Sequence, residues 1–181
     1  TMRRIVDIDD PNTSPIFGDA ATASVLTTGP GQAGGLAVVQ RPVLGARGES
    51  GATLNVPLPG GDARVHMDGQ RIFSEAIRSM SSLLARACDD SGLGLGDLDL
   101  VVPHQANGRI IEAMRTRLKL APDRVWNEVR HQGNTSSSSI PLALDSVLRR
   151  HAGGLRIGLC AFGAGYTFAG AVLLPAPDRD D

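Results

Sequence analysis

A layered α/β domain, with helices on the faces of a sheet, is the fold predicted for this chain of 181 residues. Three observations predict it. Apolar residues recur at helical spacing in three separate stretches, short apolar or β-branched runs stand before and between them, and Gly, Pro and Ser clusters mark each change of period. A hydrophobic content of 41% with 20% charged residues suffices to bury a core, so residues 1–181 are read as a single globular domain.

The elements follow in chain order. Beyond the turn Pro11-Asn12-Thr13-Ser14-Pro15, Ala21 to Thr28 has the small and β-branched content of a buried strand. Gly34-Gly35 leads to a second strand, Leu36 to Gln40, and the two read as an antiparallel pair. Residues 42–64 are rich in Gly and Pro and lack an apolar period, which predicts a long surface loop able to cover an entrance. From Asp68 to Gly92 the series Ile72, Phe73, Ala76, Ile77, Met80, Leu83, Leu84, Ala87 and Cys88 predicts the longest helix. Leu98 to Pro103 is a short buried strand, and His104 opens the loop beyond its carboxyl end. Ile110, Ile111, Met114 and Leu118 mark a second helix, closed by Pro122. Val125 and Trp126 suggest another short strand, and a third helix carries Ile140, Leu144, Val147 and Leu148 with Ser136 to Ser139 as its first turn. Leu155 to Phe162 and Phe168 to Leu174 are the final strands, around Gly163-Ala164-Gly165; residues 176–181 read as a flexible tail.

Composition narrows the partners. A formal net charge of -1 supplies no bulk attraction to nucleic acid or anionic membrane, and 3% aromatic residues cannot build a stacking platform for single strands. No run approaches the ~20 apolar residues of a membrane span, and the first residues lack the apolar core of a signal peptide. Two cysteines, Cys88 and Cys160, fit a reducing compartment, so a cytoplasmic location is expected. The 22 glycines favour close backbone packing inside the domain.

Chemistry concentrates in Pro103-His104-Gln105-Ala106-Asn107 and Gly133-Asn134-Thr135-Ser136. A histidine past a strand end and an amide on a later loop can present two uncharged donors to a developing negative charge. From spacing alone, a histidine bonded to a backbone carbonyl and an asparagine shaping a turn explain the pattern equally well.

These segments, with Ile140-Pro141-Leu142-Ala143-Leu144, Ala161-Phe162-Gly163-Ala164-Gly165, Ile16-Phe17-Gly18-Asp19 and His66-Met67-Asp68-Gly69, closely resemble the carboxyl-terminal half of β-ketoacyl-[acyl-carrier-protein] synthase III, of the thiolase superfamily. The resemblance covers nearly the whole chain in order. It implies one half of a layered thiolase-like α/β fold, a mixed sheet completed by a second half, and a role in fatty acid or polyketide biosynthesis. In that family a cysteine is acylated by a thioester, and a histidine and an asparagine then promote decarboxylation of a malonyl unit and carbon-carbon bond formation. His104 and Asn134 fall on those positions, and Gly163 and Ala164 on the loop that serves the acyl oxyanion. Arg109 matches a basic position associated with coenzyme A or carrier-protein approach, and Arg115 and Lys119 extend the same helix. The resemblance implies acyl-coenzyme A or acyl-carrier-protein thioesters as substrates, no permanently bound cofactor and no metal. The implied partners are an acyl carrier protein and a separate amino-terminal half bearing the cysteine, assembled as a dimer.

The match departs from the family at three places. Asp9-Asp10-Pro11-Asn12-Thr13-Ser14-Pro15 holds none of the arginine that often contacts coenzyme A before Phe-Gly-Asp. Ala164 replaces the middle glycine of the usual Phe-Gly-Gly-Gly, which keeps the backbone donor but restricts φ. Ala20-Ala21-Thr22 stands where a glycine pair is usual, read as a packing change.

Cys88, on an apolar helical stripe, and Cys160, inside a strand, read as inert core thiols; a Cys160-His104-Asn134 triad is the competing arrangement. The expectation is therefore an acyltransferase portion inactive by itself, with decarboxylative condensation favoured over acyl transfer to a hydroxyl or amine. A noncatalytic scaffolding subunit is the second possibility, and a hydrolase using Thr1 as an N-terminal nucleophile the third. The Thr1-Met2 beginning leads to the expectation of cleavage within a longer chain.

Overall fold

The helix that periodicity marks most strongly is also the longest formed. A computed structural model describes residues 2–28, 35–57, 64–151 and 154–176. Helix α1 (Gly69–Asp90) begins at Asp68, whose carboxylate accepts the Arg71 N–H and so satisfies one of the first-turn amides. It ends in a Schellman turn: Leu93 N–H reaches Cys88 O at 2.9 Å, Gly92 N–H reaches Asp89 O at 3.0 Å, and Gly92 adopts φ 70°. Its buried stripe of Ala76, Met80, Leu83, Leu84, Ala87 and Cys88 follows the predicted spacing.

That stripe lies on a mixed sheet. Strands β1 (Ala37–Val39), β7 (Thr167–Pro175), β6 (Ile157–Gly163) and β5 (Leu100–Pro103) stand side by side in this order, and β2 (Val43–Ala46) pairs with β7 as well. β5 and β6 run parallel, Pro103 opposite Cys160, whereas β7 is antiparallel to β6, β1 and β2. β3 (Leu54–Asn55) and β4 (His66–Met67) form a separate small ladder. The remaining helices are α2 (Gly108–Arg117), α3 (Val129–Gln132) and α4 (Ser139–Arg150).

Alternation along the strands divides the core into two layers. Val101, Cys160, Phe162 and Val172 face α1 and α2, while Leu100, Val102, Ile157 and Leu173 share a cluster with Ala143 and Val147 of α4. Glycine sets the distance between α1 and the sheet. A Cβ at Gly170 would overlap the backbone of Leu83, and one at Gly158 would come within 2.7 Å of a Leu84 methyl.

Three expected elements differ. Ala21 to Thr28 forms no strand; all eight residues are exposed, and the strand around Leu36 to Gln40 pairs with β7 instead. An extended segment needs a neighbour to bond, and among the described residues β1 pairs with β7 while no strand pairs with residues 21–28. Within the surface loop read over 42–64, the described residues hold β2, which pairs with β7 beyond β1, a 3-10 turn over Gly48–Thr53, and β3, which pairs with β4; residues 58–63 of that reading lie outside the described residues. Val125 makes a single parallel bridge to Val101 instead of a strand. Thr1, Gly34 and residues 177–181 of the predicted tail lie outside the described residues.

Candidate functional site

His104 follows β5 directly, and its backbone is held on both sides. Its N–H donates to Cys160 O at 2.8 Å, and its carbonyl accepts from Ala106 N–H at 2.9 Å. The next residue, Gln105, is buried and ties the loop inward: its amide donates to Pro103 O at 2.8 Å and Trp126 O at 3.2 Å, and its Oε1 accepts Glu128 N–H at 2.8 Å. The imidazole Nδ1 lies 2.5 Å from Ser139 Oγ at the start of α4. Burial pushes the His104 pKa down to about 4, so the ring is neutral at physiological pH.

Asn134 lies five residues before Ser139, in the approach to the same helix. Its main chain is locked to the Phe17 segment, Asn134 N–H to Ile16 O at 2.8 Å and Gly18 N–H to Asn134 O at 3.0 Å. Two glycines permit this approach. A Cβ at Gly18 would overlap the carbonyl oxygen of Gln132, and one at Gly133, where φ is 65°, would meet Ile16 O at 3.0 Å. The Phe-Gly-Asp and Gly-Asn-Thr motifs are thus the two halves of one contact. Asn134 Oδ1 accepts the Ser136 N–H at 2.9 Å, and the other group of the amide, Nδ2, is a donor.

The glycine loop completes the edge. Gly163 ends β6, parallel to the strand that His104 follows, so both sit beyond carboxyl ends of adjacent strands. Ala164 is exposed, and its carbonyl accepts from Thr167 Oγ1 at 3.0 Å. Segment 47–53, expected as free loop, buttresses this turn: Arg47 and Tyr166 exchange backbone bonds of 2.8 and 3.0 Å, and the Tyr166 hydroxyl meets Thr53 Oγ1. A Cβ at Gly51 would come within 2.9 Å of Gly165 O.

Neither cysteine joins this edge. Both are buried, and Cys160 directs its sulfur toward Met114 Sδ at 3.6 Å in the core. Burial raises Cys88 to about 11 and Cys160 to about 12, so both remain thiols, and the Cys160-His104-Asn134 triad has no nucleophile. Arg109 is exposed on the first turn of α2, where the Asn107 side chain caps its N–H at 2.8 Å. Arg115, in contrast, is occupied, clamping Glu112 with two nitrogens and donating to Leu120 O at 2.6 Å. Lys119 sits past the end of α2 with φ 55°. Sequence reading missed the structural parts, Gln105 and Ser139, and an open cleft of about 610 Å³ bordered by Gly108, Trp126, Arg130 and Arg150. There the Arg150 guanidinium lies 5.0 Å over the Trp126 ring. No group of three or more His, Cys, Asp or Glu able to hold a metal ion occurs among the described residues, and no helix there is long and apolar enough to cross a membrane.

A mixed sheet with helices on both faces, with His104 and the Gly163-Ala164 turn beyond the carboxyl ends of adjacent strands, corresponds to half of a thiolase-like fold. Residues 88–174 match the family described as 3-oxoacyl-[acyl-carrier-protein] synthase III C terminal. Residues 88–174 therefore carry the carboxyl-terminal domain of that family, and the chain as a whole is similar to the carboxyl-terminal half of β-ketoacyl-[acyl-carrier-protein] synthase III proteins. It is 36% identical to the β-ketoacyl-[acyl-carrier-protein] synthase III of Caldanaerobacter subterraneus over 96% of its own length and 55% of that protein. Among solved structures, 3-oxoacyl-(acyl carrier protein) synthase III from Pseudomonas aeruginosa superposes with a TM-score of 0.86 at 37% identity, covering 98% of this chain and 56% of that one. The priming β-ketosynthase of the R1128 polyketide pathway gives a TM-score of 0.79 at 33% identity, over 98% and 55%. The chain thus spans about half the length of the relatives it matches.

Proposed function

We propose that this chain forms the histidine, asparagine and oxyanion-loop half of a ketosynthase III-like acyltransferase that joins two thioesters by decarboxylative condensation. The nucleophilic cysteine comes from the amino-terminal half of the fold, since Cys88 and Cys160 stay protonated in the core. An acyl group first passes from its carrier thioester to that cysteine, releasing the carrier thiol. A malonyl thioester then sets its carbonyl oxygen between a ring N–H of His104 and Nδ2–H of Asn134. As the bond to the carboxylate breaks, CO2 leaves and the electron pair is held as an enolate on that oxygen. The enolate carbon attacks the acyl-cysteine carbonyl, whose oxyanion is met by backbone N–H of the Gly163-Ala164 turn; the C–S bond breaks and the thiolate is restored.

The observation that supports this reading is the side-chain geometry, in which Ser139 Oγ meets His104 Nδ1 and the Ser136 N–H engages Asn134 Oδ1, leaving His104 Nε2 and Asn134 Nδ2 to meet an oxyanion, with the buried ring neutral. Acyl transfer to a hydroxyl or amine needs a general base, and an imidazole at about 4 is a poor one near pH 7. Arg109 receives the acidic carrier protein. A cation in the first turn opposes the helix dipole, so its place there is not explained by helix stability. The Asp10 carboxylate, which accepts from Asn12 N–H and Thr13 Oγ1, holds a negative charge before Phe17 where an arginine would greet coenzyme A phosphates. Carrier-protein thioesters are therefore the favoured substrates.

The test is His104→Ala in the protein assembled from both halves. Malonyl decarboxylation should fall by about 10²–10³-fold, while acylation of the cysteine, read by intact mass, persists. Unchanged turnover would instead favour a noncatalytic scaffolding role.

A further inference from the structure

We infer that Ser139 is a positioning residue that fixes the tautomer of His104, keeping the proton on Nε2 and the lone pair on Nδ1. The inference deepens the proposed donor role of His104 and rests on it for its functional meaning.

Ser139 is buried at the first position of α4, and its Oγ meets two groups of the His104 loop. Gln105 N–H approaches at 3.3 Å and can only donate, so it takes one lone pair of Oγ. His104 Nδ1 lies at 2.5 Å and can either donate or accept. The hydroxyl has one proton to place, and among the described residues Nδ1 is the acceptor that its O–H meets. Nδ1 therefore accepts, and the single ring proton of the neutral imidazole resides on Nε2. Nε2–H is the donor that the condensation needs; the opposite tautomer would direct a lone pair at the developing oxyanion. The arrangement is well supported, because the backbone of His104 is pinned to Cys160 and Gln105 is bonded to three neighbouring main-chain groups. Pro141, in the first turn of α4, stiffens the segment that carries Ser139.

The experiment compares wild type, Ser139→Ala and Ser139→Thr in the assembled protein labelled with ¹⁵N at histidine, using His104→Gln to identify the His104 resonances. Wild type should show a protonated Nε2 and an unprotonated, hydrogen-bonded Nδ1. Ser139→Ala should shift the Nδ1 resonance to that of an unbonded nitrogen or move the proton to it, and slow malonyl decarboxylation roughly tenfold, the worth of one hydrogen bond. Ser139→Thr, which keeps the hydroxyl, should restore both. A protonated Nδ1 in wild type, or an Nδ1 resonance unmoved by Ser139→Ala, overturns the assignment. If the resonances behave as expected while His104→Gln turns over normally, the tautomer assignment stands and the condensation role of His104 falls.

Discussion

In the proposed reaction Asn134 donates through Nδ2 while its Oδ1 accepts the Ser136 N–H, and this makes the choice of amide over acid testable. Asn134→Asp keeps that bond but replaces Nδ2 with a carboxylate oxygen facing the enolate. Malonyl decarboxylation should drop by more than about 10²-fold, and further than in Asn134→Ala, which removes the donor without adding repulsion; equal rates for the two would count against charge development at this position. His104 gives a pH signature. Its folded value near 4 lies below the ordinary 6.5, so as pH falls through 6.5 the unfolded chain takes up a proton first. Stability contributed by the neutral ring is present above 6.5 and lost between 6.5 and 4, at about 1.4 kcal/mol per unit of depression. Urea midpoints of the assembled protein should therefore fall between pH 7 and 5, less so in His104→Asn. The buried thiols make a simpler check: Cys88 and Cys160 should resist iodoacetamide at pH 7.5 until the protein unfolds. His104 and Asn134 stand out in the sequence because each sits in a short polar motif between apolar runs, whereas the Gly163-Ala164 turn is singled out by the family resemblance. Ser139 and Gln105 do not stand out, since their roles exist only in hydrogen bonds between distant segments, and four consecutive serines look alike in sequence.

Helices were the most legible elements, and the reason is local. An α-helix closes its own hydrogen bonds, so Asp68, the apolar stripe and Gly92 bound α1 without reference to anything else. Strands depend on neighbours, which is why residues 21–28 were misjudged and why β2 escaped notice within a Gly- and Pro-rich stretch. Glycine spacing conveys what periodicity cannot, namely where two elements touch. Gly170→Ala places a methyl into the Leu83 backbone and should destabilise by roughly 1–3 kcal/mol, the range for overpacking. Gly69→Ala, at the open start of α1 with nothing near its Cβ, should be neutral or stabilising by about 0.4–1 kcal/mol. Thermal denaturation of the two variants checks the contrast, and similar melting temperatures would place the α1–sheet contact elsewhere. Gly18→Ala acts on the site instead: its overlap with Gln132 O displaces the Gly133-Asn134 turn, so activity should fall more than stability.

At the scale of the molecule, the proposed two-half assembly predicts a cover for the apolar residues that the described core leaves exposed. Val25 is 90% exposed and Leu26 80%, and Leu36, Val38, Val39 and Leu44 are exposed as well. Consecutive residues of an extended segment face opposite sides, so burying both Val25 and Leu26 requires a sheet covered on each face. The amino-terminal half of the proposed assembly would supply that environment, and the Phe17 segment, already pinned to Asn134, would carry residues 21–28 into it. In that proposed assembly, joining of the two halves and construction of the site would be one event, because the segment that crosses into the partner is also the one bonded to Asn134. Amide hydrogen exchange on the assembled protein should find residues 21–28 protected to the level of β6, and exchange at coil-like rates would sink the idea. Leu26→Asp should lower the stability of that assembly by about 2 kcal/mol or more, through lost apolar burial and an unpaired buried carboxylate. The same substitution should leave the helical circular dichroism of α1, α2 and α4 unchanged, since Leu26 touches none of their buried faces here.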